Sequence, residues 1–464
     1  MTLASPLVGE IAPELSVLRS HRDEWVALGL PERIRLLEGV IRRTDFAAGR
    51  WVVASSAAKG LTAESGLAGE EWLAGPYGVL ASASALRRSL ERLNQGLSTF
   101  KRAWVSSGPD GQAVVRVLPV EWWEPLLLSG YRMDLWMQPG VTPANLSDHT
   151  AAFYRQHRPD GRVCAVLGAG NIASIPPLDV LYKLYAEGQV VALKLSPVND
   201  HLGPIFSEIF AEFIERGFLR VFHGGNDMGG ALIHSPEVDT VHITGNAATH
   251  DQIVFGNGPE AAEHRRLNQP ILTKPITSEL GGVSPFIVVP GPWTAADLRY
   301  QAEHFVTQKM LNGGFNCVAA QVLVMAEGWA LADRFVREIH RVLDEGPGRL
   351  AYYPGSEDRR LTIAEHPSAV PVCNETVSHL LNLDPAESHP AFTEEFFSAA
   401  FASTLLPYSD PGAFLEAAVD FANDRLDGTL GAVVIAHPRT IDELGPAFET
   451  ALGRLRYGAV GVNV

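Results

Sequence analysis

Residues 163–171, Val163-Cys164-Ala165-Val166-Leu167-Gly168-Ala169-Gly170-Asn171, run an apolar, partly β-branched segment straight into a glycine-rich turn. A parallel strand buried on both faces reads as such an unbroken apolar run, and the turn at its C-terminal end is where an open α/β sheet takes its ligand. Three further runs follow, Val190–Leu195, Leu219–Phe222 and Val238–Thr244, with amphipathic stretches between them. Alternation at intervals of about 20 to 29 residues predicts βαβαβαβ, parallel strands joined by crossover helices. A second α/β series is expected from Val283: strand Ser284–Val289, helix Thr294–Leu311 opened by a Thr294/Asp297 capping box, strand Val318–Met325 and helix Leu331–Leu343. It continues with helix Pro411–Arg425, Asp410 at its N-cap and proline at N1, then strand Leu430–Ala436 and a last strand, Gly458–Val464. Residues 346–367 read as loop-rich. Ahead of residue 150, Pro31–Arg43 and Ser82–Leu97 have helical apolar spacing.

The whole chain sets the bounds. Its 464 residues suggest roughly three folding units. With 46% apolar residues, 19% charged residues, 43 Gly and 31 Pro, collagen and intrinsic disorder are excluded. Lys and Arg number 37 against 53 Asp and Glu, net −16, which disfavours a phosphate-backbone binder and hence a nucleic-acid partner. Three scattered cysteines, Cys164, Cys317 and Cys373, form neither a disulfide framework nor a zinc motif, so no metal and a reducing cytoplasm are expected. Residues 1–15 carry Glu10 and Glu14 without a basic or apolar leader pattern, and no run approaches the ~18 apolar residues of a membrane span.

Chemistry gathers at three places. Cys317 lies in Asn312-Gly-Gly-Phe-Asn-Cys317-Val-Ala-Ala-Gln, a loop between a helix and a strand, where a thiolate is able to attack an electrophilic carbon and glycine-flanked N–H groups to face an oxyanion. A lone cysteine is more often a buried, inert residue. Glu279, in Ser278-Glu279-Leu280-Gly281-Gly282, reads either as a general base or as a solvated turn carboxylate. Asn171 ends the glycine turn after the first strand. The run Gly168-x-Gly170-x-x-Ala173 is a weak dinucleotide fingerprint, because Lys194 stands where an acidic residue is expected.

Taken in order, Asn171, Val-Val-Ala-Leu-Lys194-Leu-Ser-Pro, Gly224 to Asn246 with Gly230, Thr244 and Gly245, Glu279-Leu-Gly-Gly-Val-Ser-Pro, the Cys317 loop, Glu394-Glu395-Phe396-Phe397, Asn423-Asp424 and Gly458 to Asn463 resemble the NAD(P)-dependent aldehyde dehydrogenase superfamily. The likeness is clear from about residue 160 onward and loose before it, through Glu71-Trp72 and Gly75-Pro76. It implies a Rossmann-like cofactor domain (1–130 and 162–277), an α/β catalytic domain (278–453), and an oligomerisation hairpin with terminal strand (131–161 and 454–464). It implies further that Cys317 forms a thiohemiacetal with an aldehyde, that Asn171 and the Cys317 N–H hold its oxyanion, and that Glu279 activates the water that hydrolyses the thioester. NAD or NADP is implied as cofactor. Lys194 and Glu395 are placed at its two riboses, Phe397 beside the nicotinamide ribose, Gly230 in the cofactor motif, and Gly245 and Asn246 at the helix facing its pyrophosphate.

Departures from the family pattern are Pro197, where a glutamate is usual in NAD-preferring members, Asn246 for serine, His250 for glycine and Phe315 for glutamine. The sequence stops at Val464, before the family's usual Pro-Phe-Gly-Gly-like loop and strand, so either the chain is truncated or the C-terminal subunit contact is missing or rebuilt. A homodimer or higher oligomer is expected all the same. Two alternatives stand beside aldehyde oxidation: a CoA-linked acyl reductase, disfavoured by Glu279, and a nucleotide-binding homologue that has lost turnover.

Overall fold

The computed structural model describes residues 6–157 and 159–464. The N-terminal stretch read for a leader therefore begins outside the described residues, and Arg158 of the expected hairpin also lies outside them. By contacts the chain divides into two units: residues 1–56, 62–243 and 273–277 in one, and 57–61, 244–272 and 278–464 in the other.

In the first unit, helices α1 (Pro6–Ala27), α2 (Leu30–Ala58) and α3 (Gly78–Asn94) precede a three-stranded antiparallel sheet of β1 (Val105–Ser107), β2 (Ala113–Leu118) and β3 (Met133–Trp136). Then come β4 (Arg162–Leu167), α4 (Ile175–Leu181), β5 (Gln189–Lys194), β6 (Leu219–Phe222), α5 (Asn226–His234), β7 (Thr240–Gly245) and β8 (Ile276–Leu280), of which residues 244–245 of β7 and 278–280 of β8, with Glu279, count to the second unit. Strand order is β6-β5-β4-β7-β8, parallel at every register recorded from β6 to β7, as the apolar runs predict. The strand order reverses at β4, the point at which a doubly wound sheet opens a crevice, and the Gly168–Asn171 turn follows β4 directly. Helix α1 packs across β4 and β5, with Trp25 buried against the rings of Tyr185, Phe213 and Phe218 and its indole N–H donating to the Leu184 carbonyl (3.0 Å).

The second unit holds α6 (Ala247–Phe255), β9 (Ser284–Val288), α7 (Ala295–Met310), β10 (Ala320–Ala326), α8 (Ala332–Glu345), α9 (Ser356–Ala364), β11 (Ala369–Val372), β12 (Val377–Leu383), β13 (Ala400–Leu406), α10 (Pro411–Arg425), β14 (Gly431–Ile435) and β15 (Ala459–Val462). Its seven strands run β11-β12-β13-β10-β9-β14-β15, all pairs parallel except β11 with β12. Both expected caps form. Thr294 and Asp297 accept each other's backbone N–H, and Asp410 accepts from Ala413 (2.9 Å). Residues 346–367, read as loop, contain α9, and β11, β12 and β13 are strands that alternation did not reveal.

The segment 131–161 is likewise built differently from a self-contained hairpin. Only β3 forms there, and its partner is β2, upstream; residues 146–149 and 152–155 make short 3₁₀ turns. Met133, Leu135 and Trp136 of β3 are exposed, as are Trp122, Leu126 and Leu127 before it. Among the described residues no helix is long and apolar enough to cross a membrane, and no cluster of three metal-ligating side chains occurs.

Candidate active site

Helix α7 delivers the nucleophile candidate. It ends at Met310, and the backbone then turns through three left-handed residues, Asn312 (φ 55°), Gly313 (φ 70°) and Gly314 (φ 87°), before Cys317 and β10. A side chain is excluded at Gly314 twice over, by its φ and because an added Cβ would lie 2.8 Å from the Ser398 carbonyl oxygen. Asn312 tolerates its conformation by hydrogen bonding locally: its amide donates to the Phe315 carbonyl (3.0 Å) and its Oδ1 accepts from the Tyr352 hydroxyl (3.0 Å). Phe315 fills the position where the family carries glutamine. It is buried among Tyr352, Tyr353 and Phe397, with ring centroids at 5.0, 5.8 and 6.0 Å. A cavity of about 240 Å³ lies against Gly313 and Phe315, with Arg349, Ser356, Arg360 and Thr376 also in its wall, but Cys317 itself does not line it.

The Cys317 thiol is largely shielded. Burial first, then the charges of Glu279 and Glu395, push it up to about 11, against a partial opposing pull from the Cys317 and Val318 backbone N–H groups. Cys317 and both carboxylates are thereby within electrostatic reach of one another in this unit. Sγ lies 3.8 Å from Asn316 Oδ1, which also accepts the Val318 N–H (3.1 Å). Glu279 sits on β8 as an exposed side chain. The other two thiols differ. Cys164 is fully buried in β4 and burial pushes it up to about 12, whereas Cys373 sits in the β11–β12 turn at φ 53°.

Glu395 is a half-buried acid of this unit. Its Oε1 is buried without a hydrogen-bond partner, and a Cβ added at Gly281 would collide with its carboxylate, so the glycine after Leu280 is a flat seat for that group. Burial pushes Glu395 up to about 7, opposed by the nearby positive charges of Lys309 and Arg359. Burial likewise pulls Lys309, deep in the last turn of α7, down to about 7, with Glu395 acting against that shift. An orphaned carboxylate oxygen is an acceptor that a sugar hydroxyl completes, so Glu395 fits the ribose of a dinucleotide. Phe397 follows at φ 41° with its ring 4.9 Å from Tyr353. Asn246 caps α6, its Oδ1 accepting from the Thr249 N–H (2.7 Å), and Gly245 precedes it as the last residue of β7, its carbonyl accepting from Gly281 N–H (3.2 Å).

In the first unit, Asn171 is buried just after the glycine turn, and Lys194 closes β5. Burial lowers Lys194, while Asp200 and Asp227 hold it up. Pro197 opens a 3₁₀ turn in which Asn199, unnoticed in the sequence, donates to the Ala169 carbonyl (3.1 Å) and so ties this segment to the glycine turn. Asp200 pairs with His223 (3.1 Å). Gly230 lies on α5 with nothing within 4 Å of an added Cβ, so packing does not require a glycine there. Gln321, Lys309 and Arg359 around Glu395 also escaped the sequence reading. Gln321 and Lys309 are buried polar side chains in β10 and α7, whereas Arg359 is half-buried in the polar helix α9 and carries no such signal.

One unit wound in the order of a nucleotide-binding sheet and another presenting a cysteine define the class of the protein as a two-unit α/β fold. Comparison narrows it. Residues 137–345 match the model of the aldehyde dehydrogenase family. The N-succinylglutamate 5-semialdehyde dehydrogenase of Sphingopyxis alaskensis is 28% identical over 188 residues, 40% of this chain and 35% of that protein. A coniferyl aldehyde dehydrogenase of Pseudomonas sp. is 25% identical over 206 residues, 44% of this chain and 38% of that protein. These matches cover little more than a third of the curated relatives' own length. Among solved structures, an indole-3-acetaldehyde dehydrogenase complexed with NAD+ is 18% identical with a TM-score of 0.66, covering 98% of this chain and 81% of that one. A 3,6-anhydro-L-galactose dehydrogenase is 14% identical with a TM-score of 0.62, covering 98% and 84%. Residues 137–345 are thus similar to the aldehyde dehydrogenase family, and the chain as a whole has the fold of these solved structures.

Proposed function

We propose that the chain oxidises an aldehyde to a carboxylic acid with NAD or NADP, by covalent catalysis at Cys317. The observation that supports this most is the grouping of Cys317, Glu279 and Glu395 in one unit, with the thiol sensing both carboxylates. In this reading the Cys317 sulfur, once deprotonated, adds to the aldehyde carbon, and the oxyanion of the thiohemiacetal accepts hydrogen bonds from the Cys317 N–H and the Asn171 amide. The bound dinucleotide supplies the two-electron acceptor for the hydride that leaves that carbon. Glu395 would orient the cofactor's nicotinamide-side ribose, with Phe397 packed near that ribose, while Lys194 would meet the adenine-side ribose. Gly245 and Asn246 open the helix turned to the pyrophosphate, with Gly230 in the same motif. Glu279 then takes a proton from water as the water oxygen bonds to the thioester carbon, and the acid leaves as the C–S bond breaks.

The domains follow the same reading: cofactor binding by 1–130 and 162–277, catalysis by 278–453, and subunit association through 131–161 and 454–464. The apolar side chains exposed on and before β3 support a homodimer or larger assembly. Three free cysteines accord with a cytoplasmic protein. A CoA-linked acyl reductase is the second reading; Glu279 near the thiol weighs against it, since transfer to CoA needs no hydrolytic base. The deciding experiment follows nicotinamide reduction over an aldehyde panel that includes N-succinylglutamate 5-semialdehyde and coniferyl aldehyde, with and without CoA. Turnover without CoA is expected. A strict CoA requirement would transfer the assignment to the reductase.

A further inference from the structure

We infer that Gln321 is a positioning residue that sets Glu395 for the cofactor, an inference that rests on the ribose role proposed above for Glu395. Gln321 stands second in β10, four residues after Cys317, and is buried. Its Nε2 donates to the carbonyls of Ala391 (2.9 Å) and Glu394 (2.7 Å), and its Oε1 accepts the Phe396 N–H (2.8 Å). Those bonds bracket Glu395 on both sides. One carboxamide thus uses both donors and its acceptor on three backbone groups, one in the short helix Pro390–Thr393 and two in the irregular segment between that helix and β13.

The bracket is specific to glutamine. Glutamate would set an oxygen against two carbonyl oxygens, and methionine would leave three polar backbone groups without their bonds. The segment needs holding, because Phe397 keeps a left-handed backbone that a non-glycine residue adopts only when its surroundings impose it. From the other side Arg359 donates to the Phe396 (3.2 Å) and Phe397 (3.1 Å) carbonyls. Gln321 ties the same segment to the strand that begins just after the nucleophile, and so helps to set where the Glu395 backbone stands relative to Cys317.

The test is a double-mutant cycle read by dinucleotide affinity. Gln321→Met is expected to weaken reduced-cofactor binding, followed by fluorescence, at least tenfold and to raise the cofactor KM more than it lowers kcat. Iodoacetamide should alkylate Cys317 of the cofactor-free variant within twofold of the wild-type rate. In a Glu395→Gln background the same Gln321→Met change should cost less than twofold further, because its effect runs through Glu395. Gln321→Glu, nearly isosteric, serves if the methionine variant does not fold, with the same expectations. A folded variant with wild-type cofactor affinity, or effects that multiply independently in the double mutant, overturns the inference alone. Wild-type protein that binds neither dinucleotide overturns the proposed function with it.

Discussion

Replacing Glu279 with Gln should move two assays of Cys317 in opposite directions. In the resting protein the thiol stands at about 11, raised by burial and then by Glu279 and Glu395. At pH 8 only about one molecule in a thousand then carries the thiolate, against about one in ten for a thiol near 9. Gln keeps the shape of Glu279 and removes one like charge from the neighbourhood of the sulfur. Because Glu279 is exposed, solvent screens that charge, and its removal is worth about 0.3–1 kcal/mol, or roughly twofold to fivefold more thiolate. Alkylation of the cofactor-free protein by iodoacetamide, measured between pH 7 and 9, should accelerate by that factor. Steady turnover should fall by about 10² to 10⁴ for want of the base, while a burst of reduced cofactor equal to the enzyme concentration survives. Slower alkylation in the variant would refute the reasoning, since it would make Glu279 the group that deprotonates the resting thiol. Unchanged turnover would remove Glu279 from hydrolysis.

The remaining expectations are shorter. Cys317→Ala should abolish turnover and leave dinucleotide affinity within about threefold, checked by calorimetry; retained dehydrogenase activity sinks the covalent mechanism. NADP should serve with an efficiency within about tenfold of NAD or better, a boundary of roughly 1.4 kcal/mol, because Pro197 lacks the carboxylate that repels a 2′-phosphate, an interaction of about 4 kcal/mol for charges ~4 Å apart at an effective dielectric of ~20. Steady-state kinetics with both cofactors would contradict this at a preference for NAD above about a hundredfold. Light scattering should show at least a dimer, and Leu135→Asp on the exposed face of β3 should shift it toward monomer; a wild-type monomer would refute the role given to that sheet.

What the sequence disclosed was whatever depends on period and on local capping. The run at Val163 is apolar throughout because its strand is covered on both faces, those at Val190, Leu219 and Val238 are apolar enough to be recognised, and each forms within two residues of its expected place. Asp410 and the Thr294/Asp297 box are legible because a cap is a contact between near neighbours in the chain. Strands β12 and β13 were hidden by polar residues that burial has satisfied: His379 is stacked on Phe401 at 4.1 Å and bonded to His340 (2.9 Å) and Ser403 (2.9 Å). Nothing near His379 in sequence announces partners 39 and 24 residues away. The same holds for the site. Cys317 and Glu279 sit in recognisable strings, but Gln321, Lys309 and Arg359 act on a segment some 35 to 90 residues distant, and only the three-dimensional path of the chain brings them to it.

The shielded thiol has a bearing on how long the protein keeps its reactive sulfur. Peroxides attack thiolates, and the climb from sulfenic to sulfinic acid ends in a state that ordinary reductants do not reverse. With its thiol at about 11, Cys317 is held at neutral pH almost wholly in the form that oxidants attack slowly. The burial, and after it the carboxylates, that make the sulfur a poor nucleophile while it waits therefore also preserve it.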